Sequence, residues 1–232
     1  MANWFLGRAL AEEAEAENAA WSFLGEGAAF WVTVAVLLVA GVAVYLITRK
    51  KSSKKSFWTA KTMAVGAMCM ALSSVLSLIK LWSMPMGGSV TPASMLPLLL
   101  FAYCYGVGPG MVLGALYGVM QFVLDGGAWA ALGLIPNLLD YPIAFGLLGL
   151  AGCFRGSKAK MTASFVLGCF GRFMASFLSG FIFYGQYAPE GVNPVWYSLT
   201  YNGSYMLVEC IICIALGLLV GERLAKELKK VA

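Results

Sequence analysis

The sequence predicts an all-α, polytopic membrane helix bundle. Of the 232 residues, 60% are hydrophobic and only 12% are charged, a balance far outside that of soluble globular domains. Several apolar runs reach the roughly 20 residues that a helix needs to cross a bilayer. Short clusters of Lys and Arg flank these runs, as they do in the cytoplasmic loops of multi-pass membrane proteins.

The same composition excludes several classes of function. The chain contains no histidine, which removes histidine-based catalytic triads and histidine metal sites. Cys210 and Cys213 have the spacing of a redox or metal motif, but no second pair accompanies them. No phosphate-binding loop is present, and the net charge of +5 is a topology signal rather than a nucleic-acid patch. We therefore expect no metal, no cofactor and no nucleic-acid partner.

The N-terminal region, residues 1–56, is predicted to precede a transmembrane domain over residues 57–232. Residues 1–26 are acidic and Ala-rich, and they lack the basic segment that begins a signal peptide. Gly27–Thr48 is an uninterrupted apolar run, and the basic sequence RKKSSKK follows it at once. The positive-inside rule then places the N-terminus outside the cell and the basic linker in the cytoplasm.

The next predicted span, Thr59–Ile79, runs outward and carries small residues at helical spacing. Such a surface either lets a partner helix approach closely or simply faces lipid. The segment that follows, Leu81–Pro92, is too rich in Gly and Pro to continue a helix, so we expect an external loop. The small residues of the span are Ala60, Ala64, Ala67 and Ala71.

A tight pair of short spans is predicted over Ala93–Leu124. This apolar stretch would be about 48 Å long as one helix, and the sequence GVGPG interrupts it. The basic clusters on either side are both assigned to the cytoplasm, so an even number of crossings must separate them. The resulting spans are Ala93–Val107, Gly110–Leu124, Leu132–Cys153, Met161–Tyr184 and Val195–Val220, which makes seven in all and leaves the C-terminus in the cytoplasm.

The polar residues inside these apolar spans converge on the external side of the predicted membrane. Because polar groups in lipid are costly, such residues mark a site by default. A carboxylate suits a cationic or amino-bearing ligand, tyrosine rings stack on flat heterocycles, and an amide supplies both a donor and an acceptor. The predicted outward-opening pocket contains Asp140, Ser176, Tyr184, Tyr197 and Asn202.

Purely structural roles are the alternative for several of these residues. Asp140 can pair with Arg172, and the tyrosines can form an interfacial aromatic belt. Tyr205 and Glu209 share a helix face with Asn202 but lie deeper, so we expect them below the pocket. An ion pair between Arg172 and Glu209 is a further structural alternative.

Three stretches of the sequence carry a family resemblance. They are SMPMGGSVTPASMLPL, NLLDYPIAFGLLGLAGCF, and GFIFYGQYAPEG followed by PVWYSLTYNGSYM. Together they resemble the thiamine-specific substrate-binding component (S component) of energy-coupling factor (ECF) transporters, over about residues 57–225. That family is built of six helices, so the resemblance implies a six-helix core and leaves Gly27–Thr48 as one extra N-terminal helix.

The resemblance also implies a function. A member of this family captures thiamine with high affinity at an outward-facing intramembrane pocket and is not itself an enzyme. It acts as the substrate-specific subunit of an ATP-driven vitamin importer in a bacterial plasma membrane. Its expected partners are a transmembrane coupling protein, two cytoplasmic ATPase subunits and the lipid bilayer.

Individual site residues follow from the resemblance as well. In the family, an acidic residue followed by Tyr on the fourth core helix contacts the ligand, which corresponds to Asp140 and Tyr141. A stacking aromatic at the outer end of the fifth helix corresponds to Tyr184, and a Tyr and an Asn five residues apart on the sixth correspond to Tyr197 and Asn202. The lid loop after the first core helix contains Met84, Gly87, Gly88 and Ser89, and the face that docks the coupling protein contains Ala60, Ala64, Ala67 and Ala71.

One position departs from the family pattern. Eight residues before the stacking aromatic the family typically carries a ligand-contacting histidine, and this sequence has Ser176. A hydroxyl donates a hydrogen bond but cannot stack on a ring, so the pocket is roomier and less aromatic there. The alternatives are a thiamine precursor such as hydroxymethylpyrimidine, another amino-heterocycle, weaker thiamine binding, or repacking by Trp129.

Two other classes of function are more distant alternatives. An intramembrane enzyme acting on a lipid or prenyl group normally shows paired acids or a nucleophile beside a base, whereas Asp140 stands alone on its helix. A stand-alone secondary transporter is commonly built from inverted repeats, and none is apparent in the sequence.

Overall fold

The computed structural model describes residues 59–85, 87–124, 134–154, 156–189 and 191–231. The predicted N-terminal region with its extra span Gly27–Thr48 lies outside the described residues, and so does Trp129. The elements, in chain order, are α1 (Ala60–Leu78), β1 (Trp82–Ser83), β2 (Ser89–Val90), α2 (Leu96–Tyr105), α3 (Val107–Leu124), α4 (Leu134–Leu138), α5 (Ala144–Leu147), α6 (Lys158–Ile182), α7 (Pro194–Leu216) and α8 (Glu222–Val231).

The predicted all-α polytopic bundle is confirmed. Within the described part of the chain, five helical stretches are long and apolar enough to cross a membrane, and α2 is a shorter apolar helix. Two stretches are composite: Ile135–Gly152 runs from α4 through α5 to a 3₁₀ turn, and Pro194–Leu228 joins α7 to α8 through a π-helical turn. The charged sequence at the C-terminus is therefore a continuation of the last helix.

Side-chain caps fix the start of three helices. Thr59 and Thr62 form a reciprocal capping box at α1. Ser157 caps α6, and Asn193 caps α7 directly before Pro194. Each cap satisfies a backbone N–H that has no partner inside the helix, and Pro at the first helical position loses nothing because its missing N–H would be unpaired anyway.

The predicted pair of short spans differs from the structure in the position of its break and in the length of its first helix. The break falls at Gly106, whose φ of +107° suits glycine, and α3 starts at the next residue, so Gly110 lies inside α3. α2 has 10 residues, about 15 Å of helix at 1.5 Å per residue, roughly half the hydrocarbon thickness. All of its residues except Tyr105 are buried, so α2 is a core element surrounded by protein rather than lipid.

A row of glycines on α3 allows α5 and the 3₁₀ turn that follows it, Leu148–Gly152, to approach closely. An added Cβ at Gly110 would lie 3.0 Å from the Cα of Gly149, and one at Gly114 would lie 2.8 Å from the carbonyl carbon of Phe145. Real Cβ contacts essentially never fall below 3.0 Å. The two segments therefore pack backbone against backbone, which sets the position of the residues just before Phe145.

The residues before α5 form a π-helical turn, Leu139–Ile143. Pro142 lies inside it and has no N–H to donate, and the N–H of Ala144 reaches back to the carbonyl of Leu139, five residues earlier. Such wide turns often occur at functional sites in helices. Here the turn carries Asp140 and Tyr141.

The predicted external loop contains a small β-hairpin. Trp82 pairs with Val90 and Ser83 with Ser89 in antiparallel register. Gly87 and Gly88 both have positive φ, which allows the chain to reverse between the two strands. The hairpin packs beside α7, next to the cavity described below.

Candidate ligand-binding site

A cavity of about 380 Å³ lies among α1, α3, the π-helical turn, α6 and α7, with the hairpin at its edge. Cavities of this size are typical of small-molecule sites. Its wall includes each residue that the sequence predicts for ligand contact or for the lid. These are Asp140, Tyr141, Ser176, Tyr184, Tyr197 and Asn202 for contact, and Met84, Gly87, Gly88 and Ser89 for the lid.

Asp140 presents a carboxylate to this cavity without an ion-pair partner among the described residues. The hydroxyl of Ser179 donates to its Oδ2 at 2.7 Å. The structural alternative, a pair with Arg172, is not the arrangement found, because the ion pair of Arg172 is with Glu209. Ser179 and Ser176 therefore orient the carboxyl group of Asp140 at the cavity, where it can accept hydrogen bonds from a ligand.

Tyrosine rings form one wall of the cavity. The ring centroids of Tyr197 and Tyr201 lie 5.7 Å apart, and the ring of Tyr205 meets that of Tyr201 edge-on at 6.4 Å. Tyr184 and Tyr187 are a second pair, 6.3 Å apart. This wall offers flat π surfaces to an aromatic or cationic ring.

The same wall holds the hairpin in place. The hydroxyl of Tyr201 donates to the carbonyl of Gly87 at 3.0 Å. A Cβ at Gly88 would lie 2.7 Å from Cζ of Tyr205, so the hairpin backbone rests directly on that ring. The lid segment and the aromatic wall are thus in direct contact.

Asn202 is buried and already hydrogen-bonded at both ends of its amide. Its Nδ2 donates to the carbonyl and the Oγ of Ser198, at 3.1 and 3.2 Å, and the hydroxyl of Tyr205 donates to its Oδ1 at 3.1 Å. Gly180 of α6 packs directly against this group, where a Cβ would lie 2.8 Å from Nδ2. The contact between α6 and α7 fixes the orientation of the amide.

Glu209 and Arg172 form the floor of the cavity. Glu209 is 1% exposed, and its Oε1 accepts hydrogen bonds from the hydroxyls of Thr91 at 2.5 Å and Ser94 at 2.8 Å. Arg172 Nη1 lies 3.7 Å from Oε2 of Glu209, and Cζ of Arg172 lies 4.2 Å from the ring centroid of Phe145. The sequence-based expectation that Tyr205 and Glu209 lie below the pocket is not met, since both line it.

Sequence reasoning missed the wall contributed by α1 and α3. Ser77, Lys80, Tyr117 and Gln121 line the cavity there, and the hydroxyl of Ser77 donates to Oε1 of Gln121 at 3.3 Å. The signal was available, because Gln121 is a carboxamide within an otherwise apolar run. Together with α3, the C-terminal turn of α1 and Lys80 just after it therefore give the cavity a polar side.

The small-residue surface of α1 lies away from the cavity. Its buried residues, which include Thr62, Val65 and Cys69, face the bundle. The face predicted for docking is exposed at Ala60, Ala64, Ala67 and Ala71. A flat, small-residue face is thus left open on the first described helix, and its role as a docking site stays a prediction.

Comparisons with known proteins converge on one family. A sequence family described as "Thiamine transporter protein (Thia_YuaJ)" matches residues 63–228. The thiamine transporter ThiT of Bacillus subtilis is 40% identical, over 56% of this chain and 73% of the relative. The thiamine transporter ThiT of Lacticaseibacillus paracasei is 33% identical, over 52% of this chain and 67% of the relative. A solved structure of ThiT from Listeria monocytogenes superposes with a TM-score of 0.62 at 20% identity, covering 73% of this chain and 96% of that one, and shows the same fold.

Proposed function

Because this chain belongs to the thiamine transporter protein family, we propose that it captures thiamine in the cavity as the substrate-specific S component of an ATP-driven ECF vitamin importer. The family is one of transporters, so the chain is assigned no enzymatic reaction. High affinity, an opening towards the cell exterior, and import powered by ATPase subunits are parts of this proposal.

The observation that carries the proposal is the unpaired carboxylate of Asp140 beside a wall of tyrosines. Thiamine is a monocation with an aminopyrimidine ring at one end and a thiazolium ring in the middle. An amino-heterocycle can donate N–H groups to the carboxylate, while the tyrosine faces stabilise the positive ring. On the floor of the cavity Arg172 pairs with Glu209, so Asp140 is the acidic side chain that remains to receive a monocationic, amino-bearing ligand.

Transport requires partners, and the open face of α1 is the surface we assign to the coupling protein. Small side chains allow two helices in lipid to approach closely, and such approach is a main source of association where no hydrophobic effect operates between helices. The coupling protein would in turn connect the S component to two cytoplasmic ATPase subunits. The N-terminus outside and the C-terminus in the cytoplasm belong to the same proposal.

Ser176 favours a second ligand candidate. It is buried and lines the cavity where an aromatic residue would narrow it. Hydroxymethylpyrimidine or another amino-heterocycle could donate to Asp140 equally well, because the carboxylate accepts hydrogen bonds only from the amino group of the ligand. The contrast between thiamine and this precursor therefore belongs in the first experiment.

Calorimetric titration of the purified, detergent-solubilised protein tests the proposal. We expect saturable thiamine binding well below 1 μM and weaker binding of hydroxymethylpyrimidine, which lacks the cationic ring. In Asp140→Asn the affinity for thiamine should fall by about thirtyfold or more, because a buried charged partner is lost. Glu227→Gln, on the exposed face of α8, is the matched control and should bind as wild type.

The outcomes separate the alternatives. Absence of saturable thiamine binding, together with tight binding of another heterocycle, would refute thiamine as the ligand. Wild-type affinity in Asp140→Asn would refute the site. Thiamine uptake into liposomes by this chain alone would instead indicate a stand-alone secondary transporter.

A further inference from the structure

The last helix, α8, lies at the end of the bundle away from the cavity. Thr91 and Ser94 line the cavity just before α2 begins, whereas α8 contacts the C-terminal end of α2. There the hydroxyl of Tyr105 donates to the carbonyl of Leu228 at 2.7 Å, and Ala225 is buried. One face of α8 is therefore fixed against the bundle, and this contact determines which face points away from it.

The face that points away from the bundle is basic. Arg223, Lys226 and Lys230 follow the spacing i, i+3, i+7, so they share one side of α8, and all three are exposed. Ala225 and Leu228, which contact the bundle, lie on the opposite side of the helix. These three exposed residues are called the basic face below.

The acidic side chains of α8 leave part of the basic face without a counter-charge. Oε2 of Glu222 lies 4.0 Å from Nζ of Lys158 at the start of α6, and Oε1 of Glu227 lies 2.6 Å from Nζ of Lys230. Each of these two acids is thus offset by a lysine. Within the described part of the chain, the other two side chains of the basic face have no acidic partner. They remain available to a partner of opposite charge.

The helix that leads into α8 places the basic face next to the hydrocarbon of the membrane. Leu219 and Val220 are 75% and 42% exposed, and they belong to Pro194–Leu228, a stretch that is long and apolar enough to cross a bilayer. Exposed apolar side chains of such a stretch face lipid tails. Arg223 and Lys226 follow Val220 by about 5 and 9 Å along the helix axis, and the headgroup layer of each leaflet is roughly 5–8 Å thick. The basic face therefore begins in the layer that contains the lipid phosphates.

We propose that the basic face binds the phosphate groups of anionic phospholipids. Each Lys or Arg near an anionic lipid surface raises affinity by about fivefold, and the guanidinium of Arg223 presents paired N–H donors that match two oxygens of one phosphate. Leu224 is 44% exposed on the same helix and suits contact with lipid. A soluble acidic protein would meet α8 only outside the headgroup layer, so depth favours a lipid. This interaction is separate from ligand capture in the cavity.

Native mass spectrometry of the full chain, released from detergent micelles, tests the proposal. The probes are phosphatidylglycerol, which is anionic, and phosphatidylcholine, a zwitterion with the same acyl chains, each added over a concentration series. We expect phosphatidylglycerol adducts at lipid concentrations about tenfold or more below those that phosphatidylcholine requires. Raising the ionic strength from about 0.05 M to about 0.5 M should narrow this difference, because salt screens exposed charges.

Two double variants test the role of charge. Arg223→Gln/Lys226→Gln removes the two cations that lack an acidic partner, so the affinity for phosphatidylglycerol should fall by about twentyfold, close to that for phosphatidylcholine. The matched control, Arg223→Lys/Lys226→Arg, preserves both charges and should retain most of the affinity. Both positions are exposed and distant from the cavity, so both variants should fold and bind thiamine as the wild type does.

Three results would overturn the inference. Equal binding of the two phospholipids by the wild type would leave the basic face to an acidic protein surface. Unchanged phosphatidylglycerol affinity in the glutamine variant would place the lipid elsewhere on the bundle. Displacement of phosphatidylglycerol by inorganic phosphate at the same concentration would indicate a site for free phosphate instead. If the glutamine variant does not fold, the comparison of lipids in the wild type and its salt dependence still decide, whereas a failure to bind thiamine refutes only the proposed function.

Discussion

Replacing Gly114 by alanine should destabilise the protein and weaken ligand binding together. A Cβ at this position would lie 2.8 Å from the carbonyl carbon of Phe145, where ordinary contact begins at 3.4 Å. Both sides of the contact are backbone, so no side chain can rotate away and the two segments must separate. Overpacking of this kind costs about 1–3 kcal/mol, and the rigidity of both partners places Gly114→Ala near the upper end.

The same helix supplies the control. Gly108 also lies in α3, and a Cβ there would meet nothing within 4 Å. Gly108→Ala should therefore leave stability unchanged or raise it slightly, since alanine favours helix over glycine by up to about 1 kcal/mol.

Thermal unfolding in detergent, followed by tryptophan fluorescence, measures the difference. A loss of about 3 kcal/mol corresponds to a decrease in Tm of about 6–12 °C for a chain of this size. Thiamine affinity should fall in the same variant, because Phe145 lies in α5, the helix that directly follows the turn carrying Asp140 and Tyr141. The reasoning is wrong if Gly114→Ala unfolds at the same temperature as Gly108→Ala.

Two further predictions concern the lid and the docking face. Tyr201→Phe removes the hydrogen bond to the carbonyl of Gly87, so thiamine should dissociate from this variant about fivefold faster in stopped-flow measurements. Tyr105→Phe is the control, because it removes a tyrosine hydroxyl that donates to a backbone carbonyl, that of Leu228, away from the cavity; thiamine should dissociate from it at the wild-type rate. Equal dissociation rates from the two variants would contradict the role of Tyr201. Ala67→Leu places a bulky side chain on the exposed face of α1. This variant should lose most thiamine uptake in cells that contain the ECF module, while calorimetry should show unchanged thiamine binding. The control is Val119→Leu, a change at another exposed apolar position, and equal uptake by the two variants would contradict docking at the α1 face.

Several parts of this structure could be predicted from the sequence because they depend on local pattern. Apolar run length predicted the helices, and the Gly- and Pro-rich composition predicted that Leu81–Pro92 would leave helical structure. Asp140 and Asn202 could be identified as cavity residues because a carboxylate and an amide within apolar runs require an inward-facing environment. The exact break at Gly106 was missed by a few residues, since Pro109 is tolerated in the first turn of α3.

The rest depends on contacts between residues far apart in the sequence. Glu209 bonds to Thr91 and Ser94 across more than 100 positions, and helix spacing alone indicates only depth, from which it was placed below the cavity. The choice of Arg172 between Asp140 and Glu209 is likewise decided by how α6 meets α7. The polar side of the cavity at Gln121 could not be predicted from the sequence, because it forms only where α3 packs beside α1.

The hydrogen bonds of Asn202 have a thermodynamic consequence for ligand recognition. Its amide is satisfied by Ser198 and Tyr205 without any ligand, so a ligand that bonds to Asn202 must exchange one hydrogen bond for another. Such an exchange changes the binding enthalpy very little. Its effect is instead on selectivity, because it determines which ligands can replace the lost hydrogen bond. The enthalpy of binding should then originate mainly at Asp140, and a ligand that cannot reproduce the displaced bond of Asn202 would leave a polar group unsatisfied in a buried place.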